Sequence, residues 1–345
     1  MSNSRRVSTQ ISFNGKNVDA VLTGHLESVS HEDIAKDASD TIDLTIENID
    51  MKWITKAWYP KNGDLIQCNF IFKDWVNEDK EYTVSCGRFT LDDISFSGSP
   101  RTMRLSGVAL PAYSSFTVKD RTKTWEQITI RKIGKTIAQR YKLKYSYSGP
   151  EITIAELEQD EQTDSDFLYK LCSKYGLGMK IYNQKLVIFD PGRLEQKDAV
   201  LAFTPDDFID GNWTINDTLD GLYNGARINY KPDSDSSETE SVYFGRVSED
   251  SEKARTLKVS ETANSYADAK YIACAAVNKS NEKKTTLRGE VFPEKKIVAG
   301  VNIELQKFGK ANGKYYIDKV TINVTPSGAS YSIEAHKCYT RLRRV

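Results

Sequence analysis

The chain has 345 residues with Lys+Arg and Asp+Glu balanced at 48 each, a net charge of zero that argues against a protein whose main task is neutralising phosphate or anionic lipid. Its length suits two or three domains of ~100–200 residues. MSNSRRVSTQ contains no apolar leader and no run approaches the ~18 apolar residues of a membrane span, so synthesis and assembly in a cytosol-like compartment are expected.

Residues 1–115 read as all-β. Val7, Thr9, Ile11 and Phe13 alternate, Asn14-Gly15 signals a tight hairpin turn, and Val18, Ala20 and Leu22 continue as a returning strand. Further strands are predicted over 43–48, 65–73 and 82–90, with a turn at Pro60 to Asp64, spacings that suit a small barrel or sandwich. Trp53 and Trp58 read as buried anchors rather than as a binding loop.

Residues 116–200 change character. Thr124-x-x-Gln127 has the form of a capping box, and Ile130, Ile133, Ile137 and Tyr141 recur at helical spacing; Arg131, Lys132, Lys135 and Arg140 form its solvated face. A second helix is predicted from the box Thr163-x-x-Asp166 through Phe167, Leu168, Leu171 and Tyr175, closed by Gly176. Two strands follow, Met179 to Tyr182 and Lys185 to Phe189, turned at Asn183-Gln184 and ended by Pro191-Gly192. Helix, helix and hairpin make a small α/β domain.

Residues 201–345 return to β. Strands are predicted at 213–216, 222–230 and 241–247, separated by the acidic loop KPDSDSSETES. Asp233 and Asp235 do not make that loop a calcium site, because Glu238 stands where the loop needs Gly and Phe244 where it needs Glu. Ser265-x-x-Asp268 caps a helix with a narrow stripe of Ala269, Ile272, Ala273, Ala276 and Val277. From Thr285 alternation runs to the end, and a phase shift between Ile317 and Val320 predicts a β-bulge at Asp318-Lys319. The expected organisation is mainly β with an α/β insertion: a first barrel over 1–115, the α/β domain over 116–200, a second barrel over 201–230 and 285–345, and an insertion over 231–284.

No catalytic constellation is legible. His25, His31 and His336 are isolated, and Cys68, Cys86, Cys172, Cys274 and Cys338 lack ligand spacing and read as small buried hydrophobes. Nucleophile-elbow and phosphate-loop motifs are missing, and the acid pairs Asp92-Asp93 and Asp206-Asp207 read as solvated loop residues. No metal and no cofactor is expected. The C-terminal RLRRV (Arg341, Arg343, Arg344) reads as a solvated end, with a subunit-interface role, in which the short basic tail pairs with an acidic neighbour, as the second reading.

Several segments together carry a resemblance. The lead-in QTDSD, the helix FLYKL, the Tyr-Gly step and the hairpin ending LVIF, with IENIDMKW and PKNGDLI upstream and LRGEV, AGVNIEL and GKYYI downstream, resemble the late control protein D family of contractile-tail baseplate hubs. The resemblance implies two tube-like β-barrels flanking a small α/β domain, and a non-enzymatic homotrimer whose six similar barrels ring a channel between hexameric tail tube and trimeric central spike. It implies as partners the tail tube or tube-initiator protein, the spike, wedge and LysM-type baseplate proteins and the tape measure protein, with DNA only as cargo and no membrane insertion. The setting would be the baseplate of a phage or DNA-free bacteriocin particle, assembled in the host cytoplasm. The turns carrying Pro60, Gly63 and Asp64 and Gly309 and Gly313 would be rim loops meeting the next ring, and the chain's end at RLRRV leaves no room for a wall-degrading domain. Two other classes stay open: a glycan- or wall-binding β-module using Trp53, Trp58 and Trp75, and a peptidoglycan hydrolase using paired acids.

Overall fold

The computed structural model describes residues 4–343 except 23, 56–58, 76–79, 111–114 and 233–237. Its main body is a 13-stranded sheet that divides into two units, each built on six strands. The first comprises Arg6–Phe13, Leu26–Ile34, Thr41–Glu47, Leu65–Lys73, Glu81–Gly98 and Arg101–Val108, with Lys16–Asn17 as a short addition. The second comprises Ala199–Phe203, Phe208–Asp217, Thr285–Val291, Asn302–Leu305, Gly313–Thr325 and Gly328–Lys337.

Alternation determines the inner faces. Ile66, Cys68, Phe70 and Phe72 are buried on one strand, Ile42, Leu44 and Ile46 on another, and their neighbours point out. The units join by strand pairing, with Lys319 opposite Ile34 and Val324 opposite Val29. One hydrophobic core runs through both, including Phe89, Leu105, Tyr315 and Tyr331. Each unit curls so that its outer strands approach. In the second, Phe203, Phe208, Phe308 and Trp213 form an aromatic seam, with Trp213 and Phe308 at 5.0 Å. In the first, the strands starting at Arg6 and Leu26 face each other across a cleft lined by Val7, Thr9, Leu22 and Leu26. The fold is thus mainly β with α/β elements inserted, as expected.

A second core belongs to those inserted elements. It gathers the helices Ile130–Arg140, Asp164–Lys174 and Tyr266–Asn281 with three small sheets. The strand Gly225–Tyr230, expected in the second barrel, pairs instead with Glu240–Gly245 and Thr256–Ala263. The helix Tyr266–Asn281 covers that sheet, its Ala269 and Ala273 small enough for close approach to Ala226 and Ile228.

Local signals differ in their outcome. Thr163 Oγ1 accepts from Asp166 N at 3.1 Å, and Leu177 N donates to Cys172 O beyond Gly176 at φ 64°, so the second helix starts and stops as expected. Asn183 and Gln184 both take positive φ in a two-residue hairpin, and the bulge after Ile317 is present. The box at Thr124 is not formed: 120–129 is a strand paired with 153–163, and the helix is capped by Thr129. Val18 to Leu22 is not a strand either. Asp19 accepts from Ile11 N at 2.6 Å and opens one helical turn, Asp19–Leu22. Pro191-Gly192 opens the short helix Pro191–Glu195, capped by Asp190.

Candidate assembly interface

The first turn singled out by sequence is tightly built. Gly63, at φ 90°, donates to Leu91 O at 2.8 Å, and Asp64 accepts from Lys61 N and from Asn14 Nδ2, both at 2.9 Å. Asn14 Oδ1 in turn accepts from Leu65 N at 2.9 Å, so the Asn14-Gly15 and Pro60–Asp64 turns form one rim. Beside it, the segment after Thr41–Glu47 exposes Ile49 (62%), Met51, Ile54 and Tyr59. Trp53 anchors that segment: it is buried, and its Nε1 donates to Glu47 O at 2.9 Å. A buried indole anchor flanked by exposed apolar side chains is suited to protein contact.

The second turn, Gly309 to Gly313, lies at the opposite end of the seam between the units. Gly309 and Gly313 have φ 61° and 128°, Asn312 Oδ1 accepts from Phe308 N at 2.7 Å, and Phe308 packs against Trp213. The structure describes two of the three tryptophans considered for glycan binding. Trp53 is interior, Trp75 donates to Arg6 O and packs between Phe72 and Phe292, and Trp58 lies outside the described residues.

Arg341 departs from its reading as part of a solvated end. Its Nε donates to Glu195 at 2.8 Å and its Nη2 to Glu282 at 2.7 Å, and its stem covers Gly192, where a Cβ would meet Arg341 Cδ at 2.9 Å. Arg343 is exposed, with its carbonyl accepting from Cys274 Sγ at 3.1 Å, and Arg344 lies outside the described residues. Around Arg341 the charges alternate in sign: Lys36, Glu282, Arg341, Glu195, His336, Asp318. Lys36 Nζ reaches Glu282 at 2.7 Å, and His336 donates to Glu195 at 3.2 Å and to Asp318 at 2.8 Å. Burial alone would lower the His336 pKa, but Asp318 and Glu195 overrule it and lift it to about 9. Burial would raise Glu195, and Arg341 and His336 instead draw it down to about 2. Glu195, Glu282 and His336 converge as three possible metal ligands, yet the Arg341 guanidinium occupies the space between the carboxylates and neutralises them. This is a clasp holding the C-terminal segment and the helix Tyr266–Asn281 to the second unit.

A second clasp holds the α/β body to the first unit. Lys180, in the Gly178–Tyr182 strand, pairs with Asp33 and with Asp40, the latter at 2.9 Å. Burial raises Asp40 to about 6, against the pull of Lys180. Within the α/β body Arg140, expected on a solvated face, pairs with the buried Asp164, which also accepts from Tyr141 at 2.6 Å. The sequence offered no sign of these partnerships, because the partners are far apart in the chain. Of the acid pairs, Asp207 accepts from Thr204 N in a local turn, and Asp92 and Asp93 are exposed positions of the Glu81–Gly98 strand rather than loop residues.

No family model matches the sequence. Over 184 residues the chain is 21% identical to the probable baseplate hub protein of Escherichia phage 186, covering 53% of this chain and 44% of that one, so the match spans less than half of the relative. Its fold is similar to that of the 43 kDa tail protein of prophage MuSo2 from Shewanella oneidensis, with a TM-score of 0.67 at 13% identity over 95% and 97% of the two chains. It is similar also to the E. coli c3393 protein, a type VI secretion component described as resembling the T4 tail proteins gp27 and gp5, with a TM-score of 0.54 at 11% identity over 97% and 80%. In sequence over half its length, and in fold over nearly all of it, the chain is similar to phage baseplate hub and tail proteins, and the family resemblance read from its motifs stands.

Proposed function

We propose that this chain is a structural baseplate hub of a contractile injection machine, acting as a homotrimer. The observation that carries the reading is the side-by-side joining of two six-stranded units by continuous strand pairing, so that each subunit supplies two tubes. Three copies would then present six similar units around one channel, matching a hexameric tail tube on one side and a trimeric spike on the other. The rim built by Pro60, Gly63 and Asp64 with its apolar loop would meet one neighbouring ring, and the Gly309–Gly313 turn, at the other end of the seam, the other. The α/β body would face outward toward wedge and LysM-type baseplate proteins, with the tape measure protein and any DNA passing through the lumen. The role is non-enzymatic, in a particle assembled in the host cytoplasm. Light scattering behind size exclusion tests it. A mass near three times 39.0 kDa is expected; a monomer that persists at all concentrations and with tube and spike partners added would overturn the proposal.

A further inference from the structure

Residues 339–343 belong to no helix or strand and run without turn or bend along the helix Tyr266–Asn281. Three of them meet three successive turns of that helix. Arg341 pairs with Glu282, just past the helix end. Leu342 N donates to Asn278 Oδ1 at 2.6 Å, and Leu342 O accepts from Asn278 Nδ2 at 2.9 Å. Arg343 O accepts from Cys274 Sγ. Residues 274, 278 and 282 are spaced by four and so share one helical face, along which the segment lies antiparallel to the helix.

The other wall comes from distant parts of the chain. Arg246 donates to Thr340 O, and Glu195 accepts from Arg341. The Tyr339 hydroxyl lies 2.7 Å from Thr285 Oγ1, with the Lys284 ammonium 4.3 Å above its ring. Leu342 packs against the second core. Asn278 is the informative residue. It is buried in a helix, where asparagine is a poor former, and the oxygen and nitrogen of its amide both go to the backbone of Leu342. The wall thus reads backbone at 340, 342 and 343, and asks for a particular side chain at two places: a guanidinium between Glu195 and Glu282, and an aliphatic group on the core.

We propose that this groove is a peptide-binding site for a straight segment in which arginine is followed by an aliphatic residue, that residues 339–343 are its tethered resident ligand, and that a like segment of a second protein enters by displacing them. The fit rests on charge complementarity, two carboxylates against one guanidinium, and on backbone contacts that any sequence supplies. A second copy of this chain is a poor source. Cys338 N donates to Lys314 O at 2.8 Å, so its tail reaches only ~10 Å beyond its own last strand pairing, and the approach to the groove is already held by this chain's strands. The tether keeps the resident at an effective concentration of millimolar order, against which an entering segment must compete. The proposal goes beyond the hub reading and is independent of oligomeric state.

The test uses the full chain carrying R341E, whose own tail is repelled by Glu195 and Glu282, and a fluorescein-labelled peptide of residues 339–345 read by anisotropy. Binding is expected, at least ~10-fold tighter than to the native chain, where the tethered tail competes. The peptide with R341A is expected to bind at least ~10-fold more weakly, having lost its charge-assisted bonds. N278L added to the R341E chain should weaken binding similarly, which ties the peptide to this groove. R341A/L342A provides a second tail-released chain, and far-UV circular dichroism reports that each variant is folded. Folded tail-released chains that bind no peptide, equal binding by native and released chains, or binding indifferent to R341A in the peptide or to N278L in the chain would overturn the proposal.

Discussion

Lys180 Nζ stands 2.9 Å from the Asp40 carboxylate, joining the hairpin of the α/β body to the turn that ends the first unit's Leu26–Ile34 strand. Asp33 completes the triad, and Ile34 N donates to Asp40 at 2.9 Å. Removing the cation leaves two enclosed carboxylates facing each other. Lys180→Met is therefore expected to destabilise the protein by ~3–5 kcal/mol, read as a lower urea midpoint.

Asp40 also gives the protein a pH signature. Its folded pKa of about 6 lies above the ordinary 3.8, so the folded state binds the proton more tightly than the unfolded chain. Its contribution is fully present at low pH and is lost as pH rises through 6. Relative to Asp40→Asn, the native protein is expected to gain up to roughly 3 kcal/mol between pH 7 and pH 4. Parallel unfolding midpoints across that window check this; a constant difference would contradict it.

The His336 clasp titrates in the other range. Because the imidazolium is held up to about 9 from 6.5, its stabilisation is complete below pH 6.5 and is lost as pH rises through 9. The native protein should lose roughly 3 kcal/mol over that interval, and His336→Gln should lack the slope. Arg341→Met should free the C-terminal segment, seen as faster proteolysis after Lys337 with the two β-units still intact.

The apolar rim separates folding from assembly. Trp53 is interior, so Trp53→Ala is expected to cost ~3–5 kcal/mol of stability. Ile54 is 44% exposed, so Ile54→Ser should change stability by no more than ~0.5 kcal/mol while weakening oligomer formation. Unfolding curves and light scattering on the two variants distinguish the effects.

What was legible in the sequence was local. Thr163, Asp166 and Gly176 place a helix because cap, body and stop lie within one short stretch, and the bulge at Asp318 shows as a broken two-residue period. The false box at Thr124 failed because a distant strand, 153–163, claims that backbone for pairing. The small strand Gly225–Tyr230 looked like barrel strand because alternation does not reveal which sheet a strand joins. The clasps were invisible for the same reason: residues 36, 195, 282, 318, 336 and 341 meet only after the chain has folded. The Pro60 to Asp64 turn was readable, whereas the apolar loop beside it shows only when Trp53 turns inward and leaves Ile49 and Ile54 outside.

The central claim, that each subunit supplies two tubes to a threefold ring, is tested most directly by electron microscopy of the purified assembly. The account predicts end-on class averages with six similar lobes around an open channel and true threefold symmetry, the outward α/β bodies breaking the sixfold. Single particles of one subunit, or closed particles lacking both the threefold axis and a channel, would contradict it.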